Sequence, residues 1–274
     1  MTGVQTCALP ICYVSLEVSP YLAHDTAGTV AEARRLHTAV NRPNVMIKVP
    51  ATPQGIPALR QLIGEGINVN VTLMFSLAHY EAVANAYIDG LRDFVARGGD
   101  PRKVASVASF FVSRVDTAVD AQLRQLDDPT ATDYLGKTAV ANSKIVYQHF
   151  KKLFRGPCFA DLTAVGARVQ RLLWASTSVK NPAYPPTLYI DELIGPQTVS
   201  TIPPSTVEVF RQSGTVANTL ENDIPAAQNV LDCLDDFHIN LDQITERLQE
   251  EGVDAFARSF SQLMDTIAAK RGNL

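Results

Sequence analysis

From Tyr13 onward, short runs rich in β-branched and apolar residues alternate with longer segments of helical periodicity, and that alternation leaves few folds open. Parallel strands need crossover connections of a dozen or more residues, usually an α-helix, so the pattern reads as a parallel sheet with helices between its strands. The strand runs fall at 13–18, 45–49, 69–73, 105–111, 171–176 and 198–201. Between the first two lies 26–41, with Val30, Ala33, Leu36, Ala39 and Val40 on one helical face. Segments 55–65 and 77–96 carry the next helical patterns, and 117–154 reads as mostly helical, with Lys144, Lys151 and Lys152 on a solvated face. Further helices are expected at 204–212, at 226–236 and in two pieces within 240–270, joined near Gly252, that cap the sheet.

The fold class is therefore α/β, of the TIM (β/α)8-barrel type. A closed barrel of this type has eight strands in about 250 residues. Only six strand runs occur here, so the barrel is expected to lack its first two βα units and to expose backbone and apolar surface at its edges. Residues 1–12 lack the basic start and sustained apolar stretch of a secretory signal and are expected to be a foreign lead. Residues 13–274 are then a single barrel-type domain, incomplete at its N-terminal side.

Composition excludes several function classes. With 274 residues and 46% hydrophobic content the chain can bury a large core. A net charge of -4 with interspersed signs offers no basic field for nucleic acid or an anionic membrane surface, and no apolar run is long enough to cross a bilayer. Cys7, Cys12, Cys158 and Cys233 form no CxxC pair and are too sparse for a disulfide framework, which points to a reducing compartment and a cytoplasmic location. His24, His37, His79, His149 and His238 show no metal-ligand spacing, so no metal is expected. Gly136-Lys137-Thr138 lacks the first glycine of a phosphate loop, and Gly64-x-Gly66 follows no strand, so neither indicates a nucleotide site.

The run Val45-Met46-Ile47-Lys48-Val49-Pro50 places a lysine in a buried strand. Burying an ammonium disfavours its charged form, and a neutral amine attacks carbonyl carbons to give a Schiff base. Taken alone, Lys48 has two open readings: that nucleophile, or a side chain that snorkels to solvent at the strand end. Active sites in such barrels lie at the C-terminal ends of the strands. The polar residues found there are Glu17, Lys48, Asn70, Thr72, Ser109, Arg114 and Ser176. Each has a plainer alternative: Glu17 paired with a neighbouring base, Asn70 satisfying backbone groups, Ser109 and Ser176 packing, and Arg114 paired with Asp116 on a surface turn.

The combination of runs resembles the transaldolase family of class I aldolases. It is carried by Ser15-Leu16-Glu17-Val18, Met46-Ile47-Lys48-Val49-Pro50-Ala51-Thr52, Gly55-Ile56, Gly66-Ile67-Asn68-Val69-Asn70-Val71-Thr72-Leu73-Met74-Phe75-Ser76, Ser109-Phe110-Phe111-Val112-Ser113-Arg114, Trp174-Ala175-Ser176-Thr177, Asn181-Pro182-Ala183-Tyr184 and Asp191-Glu192-Leu193-Ile194-Gly195-Pro196. The resemblance implies that Lys48 forms the Schiff base with a ketose phosphate, that Glu17 and Thr72 hold the water that shuttles protons, and that Asn70 holds sugar hydroxyls. It implies further that Ser109 and Ser176 position substrate and that Arg114 grips its phosphate. No cofactor is implied, sugar phosphates are the partners, and a homodimer is compatible with it. The activity implied is transfer of a dihydroxyacetone unit from sedoheptulose 7-phosphate to glyceraldehyde 3-phosphate. The alternatives are a catalytically silent fragment and a fructose 6-phosphate aldolase-like enzyme, whose relatives are shorter and lack the long tail.

Two departures from the family pattern stand out. An acid/base aspartate on the family's first strand and an asparagine on its second have no counterpart here. A second phosphate-contacting arginine after the Ser176 strand is also absent, with Lys180 as its partial substitute, a point charge where arginine offers a fork.

Overall fold

Val14–Glu17 (β1), Val45–Pro50 (β2), Val69–Met74 (β3), Ser106–Phe111 (β4), Arg171–Ala175 (β5) and Thr198–Ser200 (β6) lie side by side in chain order, every neighbouring pair parallel. The computed structural model describes residues 13–272, and the expected foreign lead at 1–12 lies outside them. Helices Thr26–Val40 (α1), Gly55–Gly64 (α2) and Leu77–Ala96 (α3) make the first three crossovers. Ser113–Leu123 (α4), Thr138–Phe154 (α5) and the short Ala160–Ala164 (α6) make the fourth, and the short Leu188–Asp191 (α7) lies in the fifth. Pro204–Ser213 (α8), Ile224–Asp236 (α9) and Leu241–Gly272 (α10) complete the described chain.

Local signals explain the helix starts nearest the sheet. The Asp25 side chain accepts from the Gly28 N–H at the head of α1, and the Ser76 side chain accepts from the His79 N–H at the head of α3, each satisfying a donor that the first turn leaves free. The sheet is buried at its centre and exposed at one edge. Every residue of β3 and β4 is buried, whereas in β1 Val14 is 62% and Leu16 36% exposed. Among the described residues, β1 and β6 are the two edges of an open six-stranded sheet.

The tract 117–154 is mostly helical, as expected, in two α-helices separated where the chain leaves α4 after Leu123, forms a 3-10 segment at Pro129–Tyr134 and turns at Gly136 with φ 71°. Two expectations need correction. The lysines of α5 are not a solvated face. α5 packs against α3, α4 and α9, so Lys144 is buried with its Nζ 3.0 Å from Glu192 Oε2, Lys151 pairs with Glu221, and only Lys152 points to solvent.

The second correction concerns Gly252, which does not join two helices. α10 runs through it unbroken. A β-carbon on Gly252 would stand 2.7 Å from Leu73 Cδ2, so this glycine lets the helix lie close on β3. At that crossing the buried Gln249 amide donates to the carbonyls of Ala51 (3.1 Å) and Leu73 (2.9 Å), at the C-terminal ends of β2 and β3. The helical cap is thus tied to the sheet through hydrogen bonds that would otherwise be missing from two buried strand ends.

Candidate active site

Strand register assembles the site. Glu17 on β1 stands opposite Lys48 on β2, and Lys48 stands opposite Asn70 on β3, so three polar side chains fall in one row across adjacent strands. Lys48 Nζ lies 3.6 Å from Glu17 Oε2, with 22% of the lysine side chain and 33% of the glutamate side chain exposed. Burial pushes the Glu17 carboxyl above the ordinary carboxylate range, against the opposing pull of the nearby ammonium. The lysine neither sits unpaired in a dry core nor reaches free into solvent. Its amine rests between that carboxyl and the ring of Phe256 on α10, whose centroid is 5.0 Å away.

Asn70 is fixed by side chains rather than backbone groups. Its Nδ2 donates to Ser15 Oγ (2.9 Å), and its Oδ1 accepts from Ser109 Oγ (2.7 Å), linking β1, β3 and β4 in one network. Thr72 is fully buried two residues further along β3, and its Oγ1 has no hydrogen-bond partner. A buried hydroxyl without a partner is costly unless a water or substrate atom completes it.

Arg114 lies in the first turn of α4, half-buried, with its guanidinium 5.3 Å from the Phe111 ring. Burial lowers its pKa, partly offset by Glu251 of α10. The surface-turn pairing with Asp116 is not found. Asp116 points the other way, where it is buried and accepts from the Tyr189 hydroxyl (2.8 Å) and the Ala139 N–H (2.7 Å). Successive residues on a helix point in different directions, which is why two positions apart in sequence they do not meet.

Ser176 follows β5 in the left-handed region, φ 56°, a conformation uncommon for a residue with a β-carbon. Two contacts with Ser113 hold it there: a hydroxyl pair at 2.9 Å and the Ser113 N–H donated to the Ser176 carbonyl at 3.1 Å. Strained backbone of this kind concentrates at functional sites. Lys180 stands apart from the other predicted residues. Its ammonium donates to Ser178 Oγ (2.7 Å), and it lines a neighbouring cavity of about 610 Å³ with Thr117, Asp120, Arg124 and Tyr184.

Phe256 and Gln249, some 200 residues from Lys48 along the chain, were not among the residues singled out from sequence. Nothing in a helical pattern tells which face will cover which strand end.

Comparison with known proteins agrees with this architecture. The family model described as "Transaldolase/Fructose-6-phosphate aldolase" matches residues 4–267. The chain belongs to the transaldolase/fructose-6-phosphate aldolase family. A transaldolase of Trichodesmium erythraeum (strain IMS101) is 47% identical over 268 residues, covering 94% of this chain and 70% of the relative. One of Parafrankia sp. (strain EAN1pec) is 47% identical over 261 residues, covering 95% and 71%. One of Thiobacillus denitrificans (strain ATCC 25259 / T1) is 48% identical over 255 residues, covering 93% and 71%.

Proposed function

We propose that the chain is a transaldolase that moves a dihydroxyacetone unit from sedoheptulose 7-phosphate to glyceraldehyde 3-phosphate, through a Schiff base on Lys48. The observation that carries this reading is the Lys48 amine 3.6 Å from the Glu17 carboxyl, in register with Asn70, within a chain of this family. The amine adds to the donor ketone carbon, and loss of water leaves a cationic imine. Glu17 supplies and recovers the protons of that dehydration through a water held on the Thr72 hydroxyl, within the reach that general acid–base transfer requires. The electron pair of the C3–C4 bond then moves toward the imine nitrogen, the C4 hydroxyl passes its proton through the bound water to the Glu17 carboxylate, and the first aldehyde leaves.

The bound three-carbon unit adds to the acceptor aldehyde, and hydrolysis frees the lysine. Asn70, held by Ser15 and Ser109, presents an amide to the hydroxyls of the sugar. Arg114 receives the phosphate, for which its planar fork of donors is suited, and Ser176 borders the same end. We read the six-stranded sheet as part of a (β/α)8-type barrel and place the protein in the cytoplasm, with a homodimer as its assembly. Among the described residues no helix is long and apolar enough to cross a membrane.

Trapping tests the reading directly. Fructose 6-phosphate with borohydride should add mass irreversibly at Lys48 of the wild-type chain and not to Lys48→Met, and only the wild type should make sedoheptulose 7-phosphate when erythrose 4-phosphate is supplied. Labelling elsewhere in folded protein defeats the Schiff-base assignment. Release of free dihydroxyacetone without any transfer favours the aldolase of the family over the transferase.

A further inference from the structure

We infer that Phe256 shields the Lys48-bound three-carbon unit from water, so that it passes to an acceptor aldehyde rather than to a proton. This rests on the Schiff-base reading above. The ring centroid lies 5.0 Å from Lys48 Nζ, on an amine whose ion-pair partner Glu17 stands at 3.6 Å. Phe256 is partly buried and packs against the core. Its placement is held from both sides. Seven residues earlier on the same helical face, buried Gln249 bonds to the ends of β2 and β3, and Thr245 and Val253 continue that buried face. One turn later, Phe260 meets Tyr21 edge to face at 6.0 Å, and Ser261 hydrogen-bonds the Tyr21 hydroxyl at 2.5 Å, anchoring α10 on the turn that follows β1. Phe256 therefore sits above the β1–β2 pair that carries Glu17 and Lys48.

The chemistry supplies a reason for an apolar ring at that spot. While the imine is cationic, the ring face offers it electrostatic support without a proton donor. After the C3–C4 bond breaks, the nitrogen holds the electron pair as a neutral enamine, and its nucleophilic carbon has two fates. It can attack the acceptor aldehyde, regenerating the imine. It can instead take a proton from water, after which a second water hydrolyses the imine to free dihydroxyacetone and the lysine amine. Excluding bulk water from the enamine carbon, beyond the single water held at Glu17 and Thr72, favours the first fate, as closed sites protect reactive intermediates generally.

The experiment uses the full chain with fructose 6-phosphate and erythrose 4-phosphate, and reads free dihydroxyacetone released per sedoheptulose 7-phosphate formed. Phe256→Ala should raise that ratio about tenfold while borohydride still labels Lys48, which reports a formed pocket. Phe256→Leu, which keeps an apolar cover, should stay within about twofold of wild type. Gln249→Ala, which leaves the ring in place but removes its tether, should raise the ratio in the same direction. An unchanged ratio in a labelled Phe256→Ala protein overturns the inference and leaves the Schiff-base reading standing. So does a wild type that is labelled yet sends every unit to water, because the covered amine then protects nothing. No labelling of Lys48 in wild type overturns both readings.

Discussion

Glu17 and Asp116 are both carboxyls that burial pushes upward, and their neighbours set them to different tasks. Glu17 is partly exposed beside the Lys48 amine, and the proposed mechanism has it exchange protons with the bound molecule. Glu17→Gln should therefore slow transfer by about 10²–10⁴-fold, the usual worth of a general acid–base group, with Lys48 still labelled by borohydride given longer reaction times. Steady-state rates equal to wild type would remove Glu17 from the mechanism. Asp116 is enclosed by Tyr189 and the α5 backbone and serves the fold, its carboxyl raised from 3.8 to about 6 chiefly by burial. Folding then favours the protonated form. The associated stability is fully present below the ordinary carboxylate pKa and is lost as pH rises through about 6. Urea midpoints should fall between about pH 4 and pH 6 by the equivalent of about 3 kcal/mol, and Asp116→Asn should flatten that slope. An equal slope in the two proteins would show that other groups govern it.

At the scale of elements, the join between β2 and α2 governs how firmly Lys48 is held. A β-carbon on Gly55, the first residue of α2, would lie 1.9 Å from the Pro50 carbonyl oxygen at the end of β2. Backbone cannot yield as a side-chain tip can, so the strand end that carries Lys48 would have to move. Gly55→Ala should cost about 3 kcal/mol in urea unfolding and lower transfer in the protein that remains folded. A cost below about 0.5 kcal/mol would mean that the join relaxes freely. The Thr52 hydroxyl, which donates to the Ala23 carbonyl at 2.5 Å and accepts from the Gly55 N–H at 3.0 Å, fastens the same corner to the loop beyond β1.

For the whole molecule, the contrast between the buried centre of the sheet and its β1 edge matters most. Val14 is 62% exposed and Leu16 36%, on a strand that is an edge of the sheet among the described residues. Val14→Lys should delay the onset of light scattering on heating while leaving the urea midpoint within about 0.5 kcal/mol of wild type. Aggregation at the wild-type temperature would place the weak point elsewhere.

Much of this was legible in the chain. All six strands fall within a residue or two of the expected runs, because each is a short β-rich segment set between longer helical patterns. Glu17, Lys48 and Asn70 meet because strand register sets them in one row, and a side-chain hydrogen bond brings Ser109 to Asn70. Helix-face choices were not legible. The α5 lysines look solvated until α9 covers them, and Gly252 looks like a break until Leu73 occupies the space where its β-carbon would be. Arg114 and Asp116, neighbours in sequence, were separated by the helix that carries both. The sequence by itself determined the order of strands and helices and the nucleophile's position at a strand end, since both follow from local periodicity. Only the tertiary structure decided that α10 lies across β2 and β3 and puts Phe256 over Lys48. That contact joins residues remote along the chain, and no short-range pattern encodes it.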